Sequence, residues 1–159
     1  MSSQAAPFGL RPAFHPSGVV RQLQGTIASA FATDIFQFSP VAIAADGTLT
    51  PAAAGARAIG SFMGVEWTGT DGRRRVSNRW EANTVGTEIV AYYTEDPALI
   101  YEIQADGPIA QTEIGQQYDW SALAGNATTG LSSVALDTAS AAANAGLRII
   151  GVNQIGRAS

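Results

Sequence analysis

Short apolar or β-branched runs alternate with turn residues along most of the chain, a pattern typical of β-strands. In the run from Leu99 to Gln104 the odd-numbered positions are apolar, whereas Glu102 and Gln104 are polar. This period of two predicts a strand with one buried face. The same reasoning predicts strands over residues 19–27, 40–44, 58–67, 73–80, 88–94, 99–105, 117–123, 132–137 and 147–152.

Turn chemistry separates many of these runs. Asp46-Gly47, Asp71-Gly72 and Asp106-Gly107 combine two residue types that tolerate the positive φ of tight turns. Two stretches favour a short helix: residues 108–115, which start near a proline and end on a glycine, and the alanine-rich residues 139–145, which suit a loop equally well. The sequence therefore predicts an all-β fold, a small β-barrel or sandwich with one or two short helices.

Residues 1–17 have a different composition, in which prolines exclude a helix and a central strand. This predicts an extended N-terminal arm before one β-rich domain of residues 18–159. We expect Phe8, Leu10 and Phe14 to anchor the arm on a neighbouring chain, with Arg11 beside a carboxylate there. A frayed terminus and packing against the chain's own body are the alternatives. Deletion of residues 2–16 is predicted to leave the body folded.

The composition removes several kinds of chemistry. The 159 residues suit one domain with a real core. The chain has no cysteine, so it has no disulfide and no thiolate metal site. All nine basic residues are arginines, which excludes any mechanism that needs a lysine. Charged residues make up only 14% of the chain, against about 25% in typical globular domains, and a surface so poor in charge is often partly covered by another molecule.

The acidic balance bears on the choice of partner and location. A net charge of −4 argues against direct binding to nucleic acid, which needs a basic face. No apolar run approaches the roughly 20 residues of a membrane helix, and the first residues lack the features of a signal peptide. We therefore expect a protein made in the cytoplasm, neither secreted nor bound to a membrane.

Arginines form the one charged cluster. If residues 73–80 are a strand, Arg73, Arg75 and Arg79 share one face, and Arg74 points to the other. A solvated outer face is the plain interpretation of this stripe. Pairing with carboxylates of a neighbouring protein, which the planar guanidinium favours, is the functional one. Contact with nucleic acid is the third.

No motif points to catalysis. His15 is the only histidine and lies between Phe14 and Pro16, and the carboxylates are scattered singly. Phosphate-binding, calcium-binding and nucleophile-elbow motifs are all missing from the sequence. We therefore predict no enzyme, no catalytic residue, no cofactor and no metal. Trp67, Trp80 and Trp120 lie in apolar runs, which favours core or interface packing over stacking on sugars or bases.

Two sets of motifs resemble proteins of tailed-bacteriophage heads. Pro40-Val41, the Asp46-Gly47 turn and Ile59-Gly60-Ser61-Phe62-Met63-Gly64 resemble the opening module of lambda-type decoration proteins. Four further stretches are similar to virion proteins of podophage and marine-phage head gene clusters: Ala6 to Pro12, Ser77 to Trp80, Tyr101 to Gly107 and Leu147 to Gly151.

The resemblance implies a capsid decoration, or cement, protein. Such a protein would lie on the outer surface of the virion, bind the major capsid protein and hold neighbouring subunits together against the pressure of packed DNA. The family also implies a homo-oligomer, with a trimer favoured and a dimer as the alternative, and a chain that continues past the Leu147 strand. A head–tail or tail-tube component and a carbohydrate-binding module of a phage fibre are the other functions that suit a β-rich chain without catalytic motifs.

Overall fold

The computed structural model describes residues 5–153, and these residues form an almost entirely β-sheet protein. The strands are β1 (Arg11–Phe14), β2 (Leu23–Gly25), β3 (Pro40–Ile43), β4 (Leu49–Pro51), β5 (Gly60–Gly69), β6 (Arg74–Ser77), β7 (Gly86–Tyr93), β8 (Ile100–Glu102), β9 (Gln117–Tyr118) and β10 (Leu147–Arg148). Within this range the only helix is the 3-10 turn Gln111–Glu113. The predicted all-β fold class is confirmed.

The main sheet is built around β5. Its strands follow the order β2, β7, β5, β3, β4, and β6 also pairs with β5. All pairings are antiparallel: β3 borders the beginning of β5, where Val41 faces Gly60, and β6 borders its end, where Arg74 faces Thr68. The other side of β5 is occupied by β7. A strand of ten residues can serve both neighbours on one edge because each uses only part of its length.

Two of the predicted Asp-Gly turns join neighbouring strands of this sheet. Gly47 and Gly72 adopt φ values of +81° and +77°, a region that glycine enters without steric cost. In each turn the aspartate accepts a hydrogen bond from the backbone N–H two residues on, Thr48 in one case and Arg73 in the other. The third pair, Asp106-Gly107, is a bend and does not join two strands. The carboxylate of Asp106 accepts hydrogen bonds from the backbone and hydroxyl of Thr138 and so connects two loops.

The core lies in two clusters of unequal size. The larger is packed on the main sheet and comprises Ile27, Ile35, Val41, Leu49, Phe62, Val65, Trp80, Ala91 and Tyr93. The smaller joins Ala52, Trp120 and Val134 beneath the loops of the C-terminal part. There the backbone is tied mainly by single bridges, such as those of Leu136 to Ala105 and to Trp120.

The C-terminal part has less regular structure than predicted. Residues 117–123 and 147–152 contribute only the short pair β9–β10, and residues 132–137 form isolated bridges and no strand. Residues 139–145 are a loop. In residues 132–137, Ser132, Ser133 and Ala135 offer little cross-strand contact to extend a ladder. Residues 147–152 carry larger side chains, and there the ladder is only as long as its partner β9. Two strands were missed: β1, inside the predicted arm, and β4, which ends on Pro51 and is an edge strand where proline is tolerated.

Candidate interaction surface

The N-terminal segment, here residues 5–17, is extended as predicted but lies on its own chain. β1 pairs with β8, and Leu10 is 2% exposed. The Leu10 N–H donates to the carbonyl of Phe38 at 2.8 Å, and its carbonyl accepts from the hydroxyl of Ser61 at 2.7 Å. Leu10 is therefore part of the chain's own packing, and the prediction that it anchors on a neighbour is wrong. The boundary after residue 17 stays a prediction.

A glycine allows this close approach. Gly9 has a φ of +79°, and a Cβ there would lie 2.4 Å from the carbonyl oxygen of Phe38. Its N–H donates to the carbonyl of Val134 at 3.0 Å. A larger residue would push the segment off the body, because both the backbone conformation and the space exclude a side chain.

Arg11 and Phe8 form an intramolecular contact beside β8. The guanidinium of Arg11 bonds Glu102 at 2.6 Å and lies 4.7 Å from the centre of the Phe8 ring. Glu102 thus supplies the carboxylate that was expected from a neighbouring protein. Phe14 differs from the other predicted anchors because it is 55% exposed. Within residues 5–17 it is the large apolar side chain that remains exposed and able to contact another molecule.

His15 fastens the end of the segment to the body. Its Nε2 lies 2.9 Å from a carboxylate oxygen of Asp96, in the loop after β7. Its Nδ1 accepts from the backbone N–H of Ser17 at 3.0 Å and lies 2.6 Å from the Ser17 hydroxyl. One nitrogen of the ring therefore holds the turn to Ser17, and the other contacts Asp96 through an ion pair or hydrogen bond. Both contacts fix the position of the segment on the body.

The predicted arginine stripe is shorter than expected. Arg73 and Arg75 both approach Asp71, at 4.0 and 3.0 Å, and their side chains are 85% and 54% exposed. Arg79 lies past the end of β6, where its N–H bonds the hydroxyl of Ser77 in a turn. Because the strand has ended, the alternation of faces no longer applies to Arg79. Its side chain is mostly covered and pairs with Asp34 at 3.2 Å, so the stripe comprises Arg73 and Arg75 alone.

Arg74 points to the opposite face of the sheet, as its odd–even position predicts. Its guanidinium bonds Glu66 at 3.0 Å, and the phenol of Tyr92 donates to the same carboxylate oxygen at 3.0 Å. The hydrogen bond from Arg74, followed by that from Tyr92, holds the pKa of Glu66 below its ordinary value. The pKa of Tyr92 is raised, chiefly because its proton is shared with Glu66. These three side chains tie β6, β5 and β7 together across one face.

Replacement of Arg74 tests this arrangement. Because the pKa of Glu66 is lower in the folded state, the bonds of the Glu66 carboxylate stabilise the fold at neutral pH. This stabilisation is lost as the pH falls through the lowered pKa. We expect Arg74→Gln to raise the pKa of Glu66 toward its ordinary range, measured by carbon-13 NMR titration of the carboxyl group. Arg75→Gln is the matched control, because that guanidinium binds Asp71. An unchanged Glu66 titration in Arg74→Gln would contradict the assignment.

Large apolar side chains remain exposed in several places among the described residues. The first, called here the apolar edge, comprises Phe14, Val19, Val20 and Leu23. It includes the edge strand β2, whose outer side carries no strand in the described part of the chain. Elsewhere, Val76 is 77% exposed on β6, and Val85, Ile43, Ile114 and Ile150 are exposed at separate positions. Single exposed apolar residues are ordinary, but several within ten residues of sequence are typical of a contact surface.

Comparison with protein-family models, with curated proteins and with solved structures finds no match to this chain. The resemblance to phage head proteins therefore rests on the motifs in the sequence and stays a prediction.

The tryptophans belong to the interior. Trp80 and Trp120 are fully buried, and Trp67 packs edge-on against Trp80 with ring centres 5.7 Å apart. Trp80 therefore cannot stack on a sugar, and the carbohydrate-binding alternative loses that platform. Among residues 5–153, no cluster of three or more histidine or acidic side chains is placed to hold a metal ion. The same residues contain no helix long and apolar enough to cross a membrane.

Sequence reasoning missed the partners of the charged residues. Asp34 and Asp96 were both scattered carboxylates in the sequence, yet each lies beside a basic side chain far from it along the chain, Arg79 and His15. No spacing signals these pairs, since the chain between their members runs through several strands. Both pairs satisfy a charged or titratable side chain within the chain itself, so these residues are less available to a partner.

Proposed function

We propose that this chain is a structural protein of a tailed-bacteriophage virion, which binds the outer surface of the head and holds neighbouring major capsid subunits together. The head-protein motifs support this proposal, and so does the low proportion of charge. The observation that carries it is the apolar edge: Phe14, Val19, Val20 and Leu23 are exposed, and Leu23 lies in β2, whose outer side carries no strand in the described part of the chain. Burying such side chains against another protein is favourable without any chemistry at the contact.

The required area is modest. A stable interface buries about 800 Å² on each partner, which is roughly a tenth of the 9350 Å² surface of this chain. The apolar edge could supply the centre of such a contact, and the free backbone groups of β2 could pair with a strand of the partner. Many copies on one shell would make individually weak contacts collectively strong.

Polar substitutions in the apolar edge test the proposal. We expect Val19→Ser combined with Leu23→Ser to weaken binding to DNA-filled heads lacking this chain by about tenfold, because two partly exposed apolar side chains would no longer be buried. Co-sedimentation over a range of protein concentrations measures the effect. Val76→Ser is the matched control, since it removes an exposed valine from a different strand. Equal binding by the double variant would remove the apolar edge from the mechanism, and no binding by the unaltered chain would overturn the function.

Arg73 and Arg75, the two arginines of the stripe, make a second contribution under this proposal. Arg73→Gln with Arg75→Gln is expected to reduce head binding and to flatten its dependence on salt, because fewer ion pairs would form with the partner. Arg57→Gln, compared with Arg75→Gln, is the control: Arg57 forms no ion pair in the described structure and lies outside the apolar edge, and each change removes one positive charge. Arg79 is left intact because it holds Asp34. An unchanged salt dependence would assign Arg73 and Arg75 to a solvated face.

Self-association is part of the proposal. A trimer is favoured and a dimer is the alternative, and sedimentation velocity of the purified chain distinguishes them. Assembly into rings or tubes would instead favour a head–tail or tail-tube component.

A further inference from the structure

An open groove of about 890 Å³ runs along β8. One wall consists of residues 96–105, which include β8, and the other of residues 146–153, which begin with β10. The buried side chains of Leu10, Trp120 and Leu136 line its inner side. Isoleucines from both walls, Ile100 and Ile149 among them, make the lining largely apolar.

Each wall offers an unpaired strand edge. β8 pairs only with β1, and β10 pairs only with β9, so each has one free edge within the described residues. The bonds of Ile149 fix the direction for the second wall: its N–H donates to Gln116 and its carbonyl accepts from Gly115. Because backbone groups alternate along a strand, those of Arg148 and Ile150 point away from β9, toward the open side.

Two of the three charged residues that line the groove form ion pairs within the chain, and the third does not. Its charged lining residues are Asp96, Glu102 and Arg148. Asp96 is paired with His15, and Glu102 with Arg11. Arg148 has no carboxylate within ion-pair distance among residues 5–153. The groove thus combines an apolar interior, free backbone donors and acceptors, and one uncompensated positive charge.

We propose that this groove receives an extended, largely apolar segment of a partner protein as an added β-strand, with an acidic group of that segment on Arg148. The inference rests on the proposed function, under which the chain acts by binding another protein. Backbone pairing to the free edges supplies affinity, and alternate apolar side chains of the segment point toward Leu10, Trp120 and Leu136. The guanidinium selects an acidic over a basic end of the segment.

Defined peptides test the groove directly on the full chain. The probes are two fluorescein-labelled octapeptides of alternating threonine and valine, one with a final glutamate and one with a final lysine, and the readout is fluorescence anisotropy. We expect the glutamate peptide to bind about fivefold more tightly than the lysine peptide, the scale of one partly exposed ion pair. Arg148→Glu should invert that preference. Arg21→Glu makes the same charge change outside the groove and should leave it unaltered.

A second variant probes the strand edge. Ile150→Pro removes a backbone donor on the open side while keeping the bonds of Ile149, so both peptides should bind about tenfold more weakly, with unchanged circular dichroism. Equal affinity for the two peptides, or a preference that Arg148→Glu leaves intact, would overturn the proposal. So would loss of self-association in Arg148→Glu, since a second copy would then be the occupant. Head binding that persists while peptide selectivity is absent refutes the groove alone, whereas peptide binding without head binding refutes the proposed function.

Discussion

Leu10→Ala is expected to lower the free energy of unfolding by about 3 kcal/mol, the usual cost of removing a fully buried leucine side chain. Leu10 is 2% exposed, and its backbone is bonded on both sides, to Phe38 and to Ser61. The cavity would open between the N-terminal segment and the body, where little can collapse to fill it. Urea unfolding followed by tryptophan fluorescence measures the change.

Phe14→Ala is the matched control. Phe14 is in the same N-terminal segment but 55% exposed, so its truncation should cost less than about 1 kcal/mol. Deletion of residues 2–16 is accordingly expected to destabilise the body, contrary to the prediction from sequence, because it removes β1 together with Leu10. If Leu10→Ala were as stable as the unaltered chain, the segment would not be packed as the structure shows.

Gly60→Ala is expected to be at least as damaging, with a loss of about 3 kcal/mol or more in the free energy of unfolding. A Cβ at Gly60 would lie 1.7 Å from the carbonyl oxygen of Thr94. This atom belongs to the backbone, so it cannot rotate away. β5 would have to separate from the chain after β7, where Thr94 donates to Ser61 at 3.0 Å. The first glycine of the Ile-Gly-x-Phe-x-Gly motif is thus required because a side chain at that position would clash with the backbone of Thr94.

Gly151→Ala provides the comparison, since a Cβ there meets no atom within 4 Å. Its effect on stability should stay within about 1 kcal/mol. Thermal unfolding of both variants by circular dichroism separates the general cost of replacing a glycine from the clash with Thr94. Similar midpoints for the two variants would refute the clash.

Strands with large side chains could be predicted from the sequence. The sequences of β3, β5 and β7 contain β-branched or aromatic residues, which favour strands. The composition of each run was therefore enough to predict a strand there. The limits of β2 and β10 could not be predicted in the same way. Their length depends on how far a partner strand runs alongside, and that partner is distant in sequence.

The candidate surface was only partly predictable. Phe14 and Arg73 are exposed, as contact with a partner protein would require, and that contact stays a prediction. The sequence made three further residues equally plausible as contacts with a partner: Leu10, Arg11 and Arg79. In the structure each of them bonds to another residue of the same chain. A side chain that can bond to a neighbour can bond to its own fold as well, and the sequence carries no signal for which of the two occurs.

The sequence by itself determined the all-β class, the two Asp-Gly turns at residues 47 and 72 and the lack of cysteine and lysine chemistry. These properties are local, since they depend on the period of apolar residues, on the backbone freedom of glycine or on which side chains exist. Only the tertiary structure decided that the N-terminal segment lies on its own body, that Arg148 has no carboxylate beside it among residues 5–153, and that a groove opens beside β8. Those outcomes depend on contacts between residues far apart in the chain, which are fixed only when the whole fold packs.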